Sequence, residues 1–127
     1  MSYTPIQSPS DITHFLDCTN SLHDAYLIGV EYTHSGHTCG NPHYIDPDRS
    51  ELRLRWLVTS IYDKTVELVF TAPYAWQLRD AGSDITDTAV SFDEKGRIIW
   101  ADDSSTEPNL RESGSYVIAQ SMKWRFL

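Results

Sequence analysis

The side chains best suited to chemistry crowd one stretch, EYTHSGHTCGNPHYID at positions 31–46, which places His34, His37, Cys39 and His43 within ten positions. Imidazole and thiolate are donors that zinc prefers, and a tetrahedral site needs three or four of them converging. The spacing H-x2-H-x-C-x3-H supplies enough donor atoms, with Asp46 or Asp48 as a further oxygen. One reading is therefore a small metal-dependent enzyme that uses the loop 34–48. Against it, structural zinc motifs set two close donor pairs apart by an intervening element, whereas here all four donors share one glycine-containing connection. The reading adopted is a hairpin loop with incidental histidines and no cofactor, zinc being the alternative. Inductively coupled plasma analysis of tag-free protein is expected to find no stoichiometric zinc, and a stoichiometric content would overturn that reading.

Other candidates are thinner. His23-Asp24 has the composition of a base and its orienting carboxylate, but adjacent residues of a regular strand point to opposite faces. The pair is read instead as shaping a helix-to-strand junction, with Asp24 accepting backbone N–H bonds. His14 is read as solvent-facing or capping on a short helix. Neither Cys18 nor Cys39 sits in a recognisable nucleophile frame, and no G-x-S-x-G occurs. The phosphate-cradling patterns G-x-G-x-x-G and G-x-x-x-x-G-K-[ST] are absent from the sequence. Arg53 and Arg55, side by side on one strand face, suit either an anionic ligand or the balancing of Glu31 and Glu67 across a sheet, and the second use is adopted.

The elements that must position these groups follow from periodicity. In SPSDITHFLDCTN, Ser8 or Ser10 is an N-cap, Pro9 and Asp11 open a first turn, and Ile12, Phe15 and Leu16 form one helical stripe. LHDAYLIGVEYT then places Leu22, Tyr26, Ile28, Val30 and Tyr32 on alternate positions, the pattern of a strand. ELRLRWLVTS alternates most clearly, with Leu52, Leu54, Trp56 and Val58 facing one way, and its partner TVELVFT turns Val66, Leu68 and Phe70 inward. Even positions must pair with even ones, for instance Val58 opposite Leu68 and Trp56 opposite Phe70, through an odd loop or bulge around Tyr62–Lys64 that brings Thr59 near Glu67. Pro73 is expected to interrupt pairing before YAWQLRD resumes. DITDTAVSFD and RIIWAD read as a hairpin around the DEKG turn, and SYVIAQSMKWRFL as a closing strand.

With no βαβ spacing and no internal repeat, the expected class is α+β, mainly β: a short N-terminal helix, then a curved antiparallel sheet, roll- or sandwich-like, of about six or seven strands. The inward aromatics Trp56, Phe70, Trp76, Trp100 and Trp124 need large facing surfaces, which implies a sheet curled on itself or packed on the helix.

A chain of 127 residues fits one domain, and a hydrophobic content of 40% belongs to a folded protein rather than a disordered one. The start MSYTPIQSPSDITHF has neither a basic cluster nor an apolar run, so a cytoplasmic location with reduced cysteines is expected. A formal net charge of −8 argues against a general nucleic-acid binder, and no stretch approaches the length that would span a bilayer, so neither nucleic acid nor membrane is expected as a partner. The acids concentrate between Asp80 and Glu107, where Asp84, Asp87, Asp93, Glu94, Asp102 and Asp103 are candidates to steer a basic protein partner; a solvated surface is the plainer reading.

The run LHDAYLIGVEY after a short helix, then LRLRWLV, VELVF and a closing strand ending in KWRF, resembles a group of small bacterial proteins, some of which are assigned as immunity proteins of toxin systems. The resemblance covers most of the chain and brings no catalytic motif with it. It implies a non-enzymatic binding role, plausibly inhibition of a basic toxin or nuclease through the acidic 80–107 region. A third reading is a homo-oligomeric assembly subunit, with the aromatic final strand at a sheet edge pairing with a second copy.

Overall fold

The computed structural model describes residues 2–34, 49–79, 85, 87–102 and 114–127. Ser8 is the helix N-cap: its backbone is extended, and its hydroxyl accepts the Asp11 N–H at 3.3 Å. Pro9, whose missing N–H costs nothing at a first helical position, opens α1 (Pro9–Thr19), and left-handed Asn20 closes it by donating its N–H to the Leu16 carbonyl. α1 buries Phe15 edge-on against Trp124, with ring centroids 5.4 Å apart, while Ile12 and Leu16 pack partly buried beside it.

Among the described residues seven antiparallel strands accompany this helix: β1 (Thr4–Ile6), β2 (Ala25–Thr33), β3 (Glu51–Val58), β4 (Lys64–Gln77), β5 (Ala89–Phe92), β6 (Ile98–Ala101) and β7 (Tyr116–Phe126). Their order is β2-β3-β4-β7-β6-β5, with β1 paired to the C-terminal part of β7, and the sheet does not close into a barrel. The α+β, mainly β architecture expected from alternation is thus the one observed. Among the described residues no helix is long and apolar enough to cross a membrane.

Four particulars differ from expectation. The N-terminal segment, for which periodicity predicted no element, supplies β1, whose Ile6 is buried. The final strand lies inside the sheet with β4 on one side and β6 and β1 on the other, so it offers no edge to a second copy. Pro73 does not break β4; it pairs with Ala119, and a bulge between Pro73 and Ala75, beside left-handed Ala72, absorbs the missing N–H. Finally, β3 and β4 do pair even with even, but Trp56 faces Val66, Leu54 faces Leu68 and Leu52 faces Phe70, while Val58 faces Lys64. Alternation sets parity, whereas the tight turn at Tyr62 and Asp63, both left-handed, sets the offset. Thr59 accordingly sits far from Glu67 along the ladder and donates its hydroxyl to the Asp24 carbonyl at 2.9 Å.

The even positions of β3 and β4, with Met122 and Trp124 of β7, form the buried side on which α1 lies. Trp100 of β6 packs on that cluster, its ring 5.7 Å from Trp56 and 6.1 Å from Phe70. This places Trp56, Phe70, Trp100 and Trp124 in the core, as the inward pattern requires. Trp76 is the exception: it is 40% exposed.

Candidate functional site

Trp76 is left at the surface together with a row of β2 side chains. Antiparallel partners share a face, so Val30 opposite Leu54 and Tyr32 opposite Leu52 stand on the buried side of the sheet. Yet Val30 is 49% and Tyr32 45% exposed, because α1 covers the Trp124 region and leaves this end open. Tyr32 meets Trp76 at a centroid distance of 5.7 Å, and His34 stacks on the other flank of Tyr32 at 6.0 Å and 15° between planes. His34 Nδ1 lies 2.6 Å from the Ser50 hydroxyl, which fixes the ring against β3. Tyr74, on the bent end of β4, is also exposed, and the Arg97 guanidinium sits over its ring at 4.5 Å. The result is a polar-tipped aromatic platform, amphipathic side chains of the kind that anchor protein interfaces.

The opposite face carries charge. Glu67, at a nominally outward position of β4, is 0% exposed. Arg55 Nε and Arg125 Nε, one from each neighbouring strand, donate to its two oxygens at 3.1 Å, and the Tyr3 hydroxyl donates to Oε1. Lys123 and Arg125 cover the Tyr3 ring, at 4.6 and 4.4 Å from its centroid. Burial pushes the Glu67 carboxyl up, but the Tyr3 and Arg55 hydrogen bonds and the Arg125 and Arg55 charges outweigh it and hold the group below the usual carboxylate range. Burial and the hydrogen bond to Glu67 push the Tyr3 hydroxyl up. Arg55 therefore balances Glu67 as read from the sequence, and Glu31 pairs opposite Arg53 in register, while the Arg53 guanidinium bonds Glu51 at 3.3 Å. Beside these arginines an open depression of about 290 Å³, solvent at its mouth included, is lined by Gly29, Val30, Glu31, Arg53 and Arg55.

The acidic candidates divide. Asp102 is 1% exposed and bonds Arg79 Nε at 2.8 Å beneath Gly114, which lies at φ +97, where an added Cβ would meet the Arg79 side chain at 2.8 Å. It is a structural anchor rather than part of a docking surface. Asp93 folds the β5–β6 turn: Oδ1 accepts the Lys95 and Arg97 N–H groups at 2.9 and 2.8 Å, and Oδ2 pairs with Arg97 Nε at 2.7 Å. Only Asp87 and Glu94 among the described members are exposed, while Asp84 and Asp103 lie outside the described residues. So do His37, Cys39 and His43, together with Asp46 and Asp48; among the described residues no group of three or more His, Cys, Asp or Glu is placed to hold a metal.

Two sequence arguments need correction. His23 and Asp24 do approach, with Nε2 to Oδ2 at 3.6 Å, because β2 starts only at Ala25 and Asp24 is left-handed at φ 58. Asp87 lies 3.7 Å from the other ring nitrogen, so an exposed imidazole sits between two exposed carboxylates, where solvent screening leaves little energy. The junction is tied through the main chain, with the Asp24 N–H donating to the Ile85 carbonyl at 2.8 Å and the Ser60 hydroxyl to the His23 carbonyl at 2.6 Å. Cys18, read as outside any recognisable nucleophile frame, has its sulfur 3.6 Å from His14 Nε2, the i, i+4 spacing on α1 that was visible in the sequence.

No family of known proteins, no curated protein and no solved structure matches this chain.

Proposed function

We propose that this protein is a non-catalytic protein-binding domain of the toxin-immunity kind, working in the cytoplasm and receiving a basic partner on the Tyr32–Trp76–His34 platform. The observation that supports the reading is the pair of aromatic rings 5.7 Å apart, both about two fifths exposed and rigidly mounted on neighbouring parts of a sheet. Aromatic anchors of this size, desolvated by a partner, supply most of the free energy of a typical interface. The net charge of −8, with Asp87 and Glu94 exposed, favours a basic partner and accelerates encounter more than it deepens affinity.

The test uses the purified product of the reading frame adjacent to this one. Wild type is expected to bind it and to neutralise its toxicity on co-expression. Trp76→Ala is expected to weaken binding about thirtyfold, corresponding to the ~2 kcal/mol typical of a hot spot, with at most a small drop in melting temperature because the ring is outside the buried core. Asp87→Lys with Glu94→Lys is expected to slow association and leave dissociation unaltered. Absence of binding, or equal binding by Trp76→Ala, would overturn the proposal.

A further inference from the structure

The outer edge of β2 runs beyond the platform, to which only its Tyr32 belongs. β2 is the first strand of the sheet, and two main-chain bonds, from the Asp24 N–H to the Ile85 carbonyl and from the Ile85 N–H to the Ala25 carbonyl, cover only its beginning. From Tyr26 to Thr33 its outer edge has no strand beside it among the described residues. Tyr26, Ile28, Val30 and Tyr32 along that edge are exposed, Ile28 at 56%, and Glu31 is its single charge. Lys, Pro and inward charges, which proteins use to block edge pairing, are missing from it, and its one bulge, at Ile28, leaves Gly29–Thr33 in regular register with β3.

We infer that β2 pairs antiparallel with β2 of a second copy about a twofold axis at Val30, extending the two sheets into one. The register follows from charge. An axis at Glu31 would set two carboxylates opposite each other. An axis at Gly29 would set Glu31 opposite Leu27, which lies across the bulge from Gly29 and pairs with core Trp56. An axis at Val30 sets Glu31 of each copy opposite Gly29 of the other and Tyr32 opposite Ile28. Gly29 is in register with Arg55 and shares its face. Having no side chain, it leaves the depression that Arg53 and Arg55 line together with the copy's own Glu31 open toward the edge, so two arginines there face two carboxylates, the copy's own and the incoming one. The incoming Glu31 therefore enters that notch on the arginine face, two strand spacings or about 10 Å from the Arg55 backbone, a gap the two long side chains span together. The twofold repeats the contact, so each copy gives one carboxylate and receives one. The charge of −8 on each copy does not oppose approach at long range, since salt screens it beyond about 8 Å at physiological ionic strength.

Sedimentation equilibrium on the full chain is expected to show concentration-dependent association to twice the 14.5 kDa chain mass. In a Cys18→Ser, Cys39→Ser background, Val30→Cys should oxidise to a covalent dimer, because residues opposite each other at a twofold axis have β-carbons about 5 Å apart. Ile28→Cys mixed with Tyr32→Cys should cross-link more than either alone. Glu31→Lys, an exposed change that leaves the core untouched, should weaken the dimer at least tenfold, and Trp76→Ala should leave it intact, which separates this inference from the partner platform. A monomer at high micromolar concentration, cross-linking that favours another register, or an undiminished Glu31→Lys dimer would each overturn it.

Discussion

Trp100→Ala is expected to lower the unfolding free energy by about 3–5 kcal/mol, enough to shift the melting temperature of a domain this size by roughly 10 °C or more. The ring is fully buried, lies against Trp56 and Phe70, and joins the β5–β6 hairpin to the core made by β3, β4 and β7. Removing it withdraws apolar area from burial and leaves a cavity whose walls, strands on three sides, collapse poorly. Trp100→Phe should cost much less than Trp100→Ala. The Trp100 indole N–H is buried with no hydrogen-bond acceptor among the described residues, so losing it sacrifices no bond and relieves an unmet donor. Chemical denaturation of both variants checks this, and equal losses would show that the indole nitrogen is engaged.

The second large effect is expected at Glu67. Glu67→Gln should destabilise by about 2–3 kcal/mol, at the lower end for an enclosed ion pair because Arg55 remains half in water and can be rehydrated. The substitution keeps the volume but leaves Arg55 and Arg125 facing a neutral group, and it weakens the Tyr3 hydroxyl bond that fastens the segment before β1. The carboxyl is held below its ordinary value in the folded protein. Its contribution is therefore complete above the unfolded carboxylate pKa of about 4.3 and is lost as pH falls through the lower, folded value. Wild type should lose stability on acidification in that window, and Glu67→Gln should lose less of it. A parallel pH dependence in the two proteins would place the acid sensitivity elsewhere.

Local chemistry was legible wherever neighbours in sequence decide the outcome. Ser8 and Pro9 start α1 because a hydroxyl and a missing N–H answer an orphan-donor problem confined to one turn. The alternation of Leu52, Leu54, Trp56 and Val58 announced a half-buried strand, and the even-to-even parity of its pairing with β4 followed from the need to keep one face dry. The platform was only partly legible. Tyr32 and Trp76 read as ordinary strand aromatics, and the expectation that Trp76 points into the core failed: beyond left-handed Ala72 and the bulge after Pro73 the end of β4 leaves the ring 40% exposed. Nothing in the sequence marked Tyr3 as a partner of Glu67, since the contact spans 64 positions.

What the chain determined by itself was its helix, the faces of its strands and its acidic balance, because caps, alternation and charge are properties of short segments. Tertiary structure alone decided that β7 would be interior and β2 exposed, that Asp102 would be buried against Arg79 while Asp87 remains in water, and that Gly29 would open a notch beside two arginines. Strand order and offset depend on turn geometry and on which distant segments compete for the same hydrogen bonds. Those choices are made among surfaces that exist only once the sheet has formed.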